Sequence, residues 1–410
     1  MGTNIYKVSQ WLLGFVNLEA LLVIPVTIMS YIILRQIYRR EFDLTPVIYI
    51  LILLPVMTPF FTRLLGFDYF TAMNHYLQRD EVLIVSAMLL ILIFFFSAVL
   101  GSRVKLSANI LKTRSVDLKI GIIMTVFAIN FVLLLLFLEL DTILETGYGQ
   151  IKENQSNYSS LVNQVFNLSM AMTFASISSR QRRRLAQVII MVFIVLALLF
   201  ARRTLAVGLL ILLFYTLRDY KLRIGHVLGG VLALFALWFV GEVRTTGLLP
   251  YLSGDRADSV FRSYYSMPGG GANIFIGTMG VIHLLGSGVL KFPYTMPILL
   301  WVNGESSSTI YPRMGYAYNG GMHIASVLYW NFGLIGVVLG GILLGAITSS
   351  AGKSLRGLKA GKSGNMATSL SIGFVLILPN VIWYSPIGFV KLSIAIIVAS
   401  VLLRIVVTGK

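Results

Sequence analysis

Apolar residues recur along the chain in blocks close to the ~20 residues that a helix needs to cross a bilayer, separated by polar connectors. The blocks predict eleven spanning helices, over 11–34, 44–62, 82–101, 119–138, 160–178, 185–201, 204–217, 224–241, 322–349, 367–385 and 389–408. The fold class expected is an all-α polytopic membrane protein. One stretch breaks the rhythm: residues 242–321 form a long connector between the eighth and ninth blocks. Its apolar middle (Asn273–Leu290) suits a short helix dipping into the membrane interface. Three parts follow, 1–241 with helices one to eight, 242–321 as one large loop, and 322–410 with the last three helices. The two halves show no paired, interrupted apolar segments of the kind found in inverted-repeat transporters.

Charge gives the blocks a direction. One set of connectors carries Arg35, Arg39 and Arg40; Arg103, Lys105, Lys112, Arg114 and Lys119; Arg180 and Arg182–Arg184; Arg218, Lys221 and Arg223; and Lys353, Arg356, Lys359 and Lys362. The alternate set carries Asp68, Asp80, Glu81, Glu139, Asp141, Glu145 and Glu153. The positive-inside rule makes the first set cytoplasmic, with the N-terminus and the large loop outside and the C-terminus inside. This arrangement also accounts for the net charge of +17. Short cationic loops without a stacking aromatic run suit anionic lipid headgroups, and no nucleic-acid partner is expected. Only 12% of residues are charged and 57% are apolar, which excludes a soluble domain. With no cysteine, disulfide frameworks, thiolate metal sites and cysteine nucleophiles are excluded.

Candidate chemistry concentrates on the outer side. Arg202 and Arg203 stand at the tip of a hairpin between two apolar runs. The 17 residues Leu185–Ala201 rise only ~25 Å as a helix, so the guanidinium groups start below the outer surface. A charge held there costs at least ~2.5–3.5 kcal/mol unless it snorkels to headgroups or binds an anion such as phosphate. Glu242, Arg244, Asp255, Arg256, Asp258 and Arg262 read either as a solvated face or as arginine forks that grip a diphosphate, with Arg313 on the same side. In the run Tyr311–His323, Tyr316 and Tyr318 offer faces for sugar rings. His323 is expected to begin a helix at the outer interface, as a general base, as a group that positions a hydroxyl, or as a histidine that is simply solvated or capped. Asn331 reads as a helix–helix hydrogen bond. Glu139 and Asp141 have the spacing of an acidic metal pair, a spacing common by chance, and no metal is expected. Glu19 lies inside the first block, as a functional group or a bond to a neighbouring helix. Nothing has the form of a phosphate-binding glycine loop, a GxSxG elbow or HExxH, so neither nucleotide hydrolysis nor a cofactor is expected.

Gly320–Gly336 (GGMHIASVLYWNFGLIG), the earlier Ala201–Leu205 (ARRTL) and the large outer loop between them together resemble the bacterial O-antigen polymerases of the Wzy type. The resemblance implies a glycosyltransferase of the GT-C kind in the bacterial inner membrane, acting on undecaprenyl-diphosphate-linked oligosaccharide at the outer face. It would transfer the growing glycan from its lipid diphosphate to the next lipid-linked repeat unit, with a chain-length regulator as a partner. On this reading Arg203 and Arg244 hold diphosphate, with Arg202, Arg256 and Arg313 as further candidates. His323 is the base or acceptor-positioning residue and Glu242 its reserve. Two alternatives stay open: an O-antigen ligase that transfers glycan to a lipid A core, and a flippase or other transporter of lipid-linked polysaccharide.

Overall fold

The computed structural model describes residues 3–39, 43–57, 59–60, 80–104, 132, 167, 180–199, 203–216, 225, 269–287, 322–359, 366–383 and 387–408. Among them every regular element is helical: α1 (Thr3–Leu13), α2 (Leu18–Arg39), α3 (Leu44–Leu53), α4 (Glu81–Gly101), α5 (Arg180–Leu199), α6 (Arg203–Thr216), α7 (Gly269–Gly286), α8 (Ile324–Lys359), α9 (Met366–Trp383) and α10 (Ile387–Thr408). Four of these are long and apolar enough to cross a bilayer, namely α2, α4, α8 and α9. The protein is a helical membrane protein. The predicted blocks 119–138, 160–178 and 224–241 lie outside the described residues.

The bundle is apolar both at its centre and on its outside. α4 and α9 run through the core, with Phe94, Val85, Phe374 and Leu378 almost fully buried. At the periphery, Val23, Ile24 and Leu34 of α2, Val188 and Val195 of α5, and Ile394 and Val398 of α10 are exposed. Outward-facing apolar rows on several helices suit lipid as the surrounding solvent.

α4 and α8 form the closest helix pair. A Cβ built on Gly341 would stand 2.6 Å from Ser97 Cβ and 2.7 Å from the Phe94 carbonyl oxygen, and one on Gly345 would stand 2.8 Å from Ser102 N. From the other side, a Cβ built on Gly101 would stand 2.6 Å from Ile342 Cα. Small residues on both helices let the backbones touch, the usual way helices associate where lipid removes the hydrophobic drive. The order of contacts, Phe94 with Gly341 and then Ala98 with Gly345, makes the two helices parallel.

The helix ends sort by charge. At one end Asp43 precedes α3 and takes a 3.3 Å ion pair from Arg356 of α8, while Tyr49 of α3 donates to Ser102 Oγ at the end of α4 (3.0 Å). Arg39 closes α2 four residues before Asp43, and Arg103 follows Ser102. At the opposite end, Asp80 caps α4 by accepting from the Leu83 N–H (3.0 Å), and Glu81 sits in the first turn. Tyr6 of α1 lies close to Asp80, and burial, then that carboxylate, push its hydroxyl pKa up. The alternation of basic and acidic connectors thus corresponds to two physical ends of the bundle.

Two apolar blocks are interrupted. The first is split into α1 and α2 by a turn at Gly14–Asn17, where the Asn17 side chain accepts from the Ala20 N–H (3.0 Å) and caps α2. Glu19 therefore lies in the exposed first turn of α2, at the very end of that apolar helix, where a carboxylate favours the helix N-terminus. In the second block α3 stops at Leu53 and tightens into a 3₁₀ turn, Leu54–Val56. Pro55 has no N–H for the carbonyl of Leu51, four residues back. The Trp383 indole takes that place and donates to Leu51 O at 2.9 Å.

Candidate functional site

The largest departure from a straight bundle is in α8. Gly333 has φ 65° and ψ −159°, a conformation open essentially only to glycine, and it breaks the helix. Leu328, before the break, packs its side chain against Gly340, and its carbonyl oxygen would lie 2.9 Å from a Cβ on Gly336. In a straight helix residues 328 and 340 would be ~18 Å apart. Residues 324–332 (α8a) thus fold back along residues 334–359 (α8b). Gly336 and Gly340 make room for the returning segment, while Gly341 and Gly345 serve α4.

Folding back carries His323 inward. Its ring stands edge-on to Phe94, with centroids 5.7 Å apart. Phe94 lies ~20 Å along α4 from Glu81, past the middle of that helix. The Ile52 carbonyl is also beside the imidazole. His323 is 0% exposed, and every residue from Met322 to Asn331 is buried. The expectation of a histidine at the outer interface assumed that a straight helix descends from the loop. The break at Gly333 replaces that interface position with one in the bundle interior.

His323 is a helix cap. Its Nδ1 accepts from the Ala325 N–H (3.1 Å), and its carbonyl accepts from the Ser326 N–H (2.9 Å) and from Ser326 Oγ (2.6 Å). An Nδ1 that accepts carries no proton, so the neutral ring is protonated at Nε2. This tautomer can donate at Nε2, whereas action as a base would require giving up the cap. His323→Ala is expected to cost ~1 kcal/mol of stability, as loss of other side-chain caps does. His323→Asn, which can still accept from the Ala325 N–H, should recover most of it. Thermal unfolding of the two purified variants in detergent checks this.

Polar groups gather along α8a and the facing α7. Thr278 of α7 donates to the Ile274 carbonyl (2.9 Å) and lies 3.4 Å from Ser326 Oγ. Asn331 Nδ2 donates to the Val327 carbonyl of its own helix (2.7 Å), replacing the helix–helix bond expected for it. His323 Nε2, Trp330 Nε1 and Asn331 Oδ1 are buried without a hydrogen bond of good geometry. Each such group costs ~1–3 kcal/mol. All three fall within nine residues of one short segment. They supply two N–H donors and one carbonyl acceptor, all uncharged.

Of the other residues singled out from sequence, Arg203 opens α6, which pairs with α5 as the expected hairpin, but its side chain is outside the described residues. Arg202, Glu242, Arg244, Arg256, Arg313, Tyr316, Tyr318, Glu139 and Asp141 also lie outside them. The apolar middle of the large loop is helical, as α7. α7 is buried from Ile274 to Ile282 against α4, α8 and the 3₁₀ turn. Among the described residues no cluster of three or more His, Asp or Glu could hold a metal ion. Sequence reading missed Thr278, Ser326 and Trp330 as a polar group and Gly333 as a break. The available signal was Asn331-Phe-Gly333 inside an apolar block, followed by glycines at 336 and 340.

Fold and site together define a polytopic helical membrane protein with a folded-back half-helix in its interior. No protein-family model, curated protein or solved structure matches the chain.

Proposed function

We propose that the protein is a lipid-linked oligosaccharide polymerase of the Wzy type, working at the outer face of a bacterial inner membrane. The observation that supports this reading is the patch Gly320–Gly336, preceded in sequence by Tyr311, Arg313, Tyr316 and Tyr318 and containing the buried, histidine-capped start of α8. In the reaction, an acceptor hydroxyl oxygen attacks the anomeric carbon of the donor glycan. The carbon–oxygen bond to the lipid diphosphate breaks, and the diphosphate leaves with its charge met by arginines, for which Arg203, Arg244, Arg202, Arg256 and Arg313 are the candidates. The tautomer of His323 suits donation to a sugar oxygen rather than proton removal, which leaves Glu242 as the candidate proton acceptor. An activated donor makes nucleotide and metal unnecessary.

Purified protein incubated in detergent with lipid-linked repeat units, without nucleotide and with a strong chelator, should yield a ladder of multiples of one unit on a gel. Single units that persist with the native substrate overturn the polymerase. A product formed only when lipid A core is added would make it a ligase instead. One feature favours a second reading: a broken helix with buried polar groups in the bundle interior is also how transporters build substrate sites. Movement of lipid-linked glycan across proteoliposomes without any ladder would establish that reading.

A further inference from the structure

The polar atoms of α8a sit behind a joint. Gly333 supplies a backbone conformation that other residues resist, and along the fold-back the Leu328 side chain seats on Gly340 while the Leu328 carbonyl and Phe332 meet Gly336. In the same segment Trp330 Nε1 and Asn331 Oδ1 are buried and unpaired, and His323 Nε2 has only the Ile52 carbonyl nearby, without a hydrogen bond of good geometry. A closed arrangement that strands three polar groups is opposed by their desolvation, and a single glycine with positive φ is a place where a helix can turn.

We infer that α8a is a hinged flap, turning at Gly333, whose closed form is the one described and whose open form delivers its polar face to water. In the open form water donates to Asn331 Oδ1 and accepts from Trp330 Nε1–H and His323 Nε2–H. Closing expels that water and seats Leu328 on Gly340.

The absence of cysteine makes the test direct, because any thiol introduced reports only on itself. The full-length protein carrying Ser326→Cys or Asn331→Cys is treated in detergent with a positively charged, membrane-impermeant methanethiosulfonate, and labelling is followed by intact mass. Both sites should react slowly, and at least ~10-fold faster when Leu328→Ala removes the seat or Gly333→Ala disfavours the turn. Ala206→Cys, buried in α6, is the control and should not change rate in either background. Unchanged rates at residues 326 and 331 in both backgrounds overturn the flap. So does equal acceleration at residue 206, which would mean general loosening of the bundle. Leu328→Ala leaves the glycine backbone intact, so the result stands even where Gly333→Ala does not fold. The labelling needs no glycan, and its outcome is independent of the transferase reading.

Discussion

On the polymerase reading proposed above, Arg203→Ala is expected to eliminate glycan polymer while the protein remains folded in the membrane. Arg203 is the first residue of α6, where a three-residue connector joins it to α5. In the sequence Arg202 and Arg203 fall between two apolar runs, against the alternation expected from the positive-inside rule, which makes lipid insertion alone a poor reason for them. Removing one preorganised partner of a developing charge typically lowers turnover ~100- to 1,000-fold. Lipid-linked repeat units should therefore stay at one unit on the gel, with unchanged yield of inserted protein. Arg203→Lys, which keeps the charge and loses the planar fork, should restore part of the activity. Normal polymer from Arg203→Ala would remove the hairpin tip from the mechanism.

Gly345→Leu should instead destroy the fold, through a mechanism with no chemistry in it. Any Cβ at 345 meets the backbone of Ala98 and Ser102, and backbone cannot turn aside as the end of a side chain can. Overpacking in a core usually costs ~1–3 kcal/mol, and contact with rigid backbone at two positions of α4 places this site at or above the top of that range. That is a large part of the ~5–15 kcal/mol by which a folded domain is stable. Size-exclusion profiles after stepwise heating should show Gly345→Leu aggregating well below the parent, or absent from the folded fraction. Gly357→Leu, where a Cβ meets nothing within 4 Å, is the matched control. Similar melting of the two variants would contradict the close pairing of α4 and α8.

How much of this could be read from the chain depended on what each signal measures. Block length located α4 and α9 almost to the residue, because an uninterrupted apolar run has one helical solution in lipid. Charge alternation anticipated that Arg39, Arg103 and Arg356 would share one end and Asp80 and Glu81 the other. The break in α8 was hidden because hydropathy counts residues and is blind to direction. Residues 324–332 are as apolar whether they continue the span or fold back along it. Gly333, Gly336 and Gly340 read as ordinary helix-packing glycines until Leu328 is seen against Gly340. The misplacement of His323 follows from that one point, since only the reversal at Gly333 takes it from the rim to the interior beside Phe94. The exposed first turn at Glu19 was likewise masked by a turn, Gly14–Asn17, too short to lower the local apolar content.

The bond from Trp383 to the Leu51 carbonyl also has a bearing on how the chain is made. Its partners are 332 residues apart, and Asp43 and Arg356 are separated by 313. At ribosomal rates the second member of each pair emerges on the order of tens of seconds after the first. During that interval α3 sits in the bilayer with a carbonyl that Pro55 has freed and nothing yet satisfies. The Leu51 carbonyl thus waits for α9, and Asp43 for α8, before either finds its partner in the finished bundle. A nascent chain cut short before Trp383 carries an unpaired polar group within the membrane, the kind of mark by which quality-control machinery can tell an unfinished protein from a finished one.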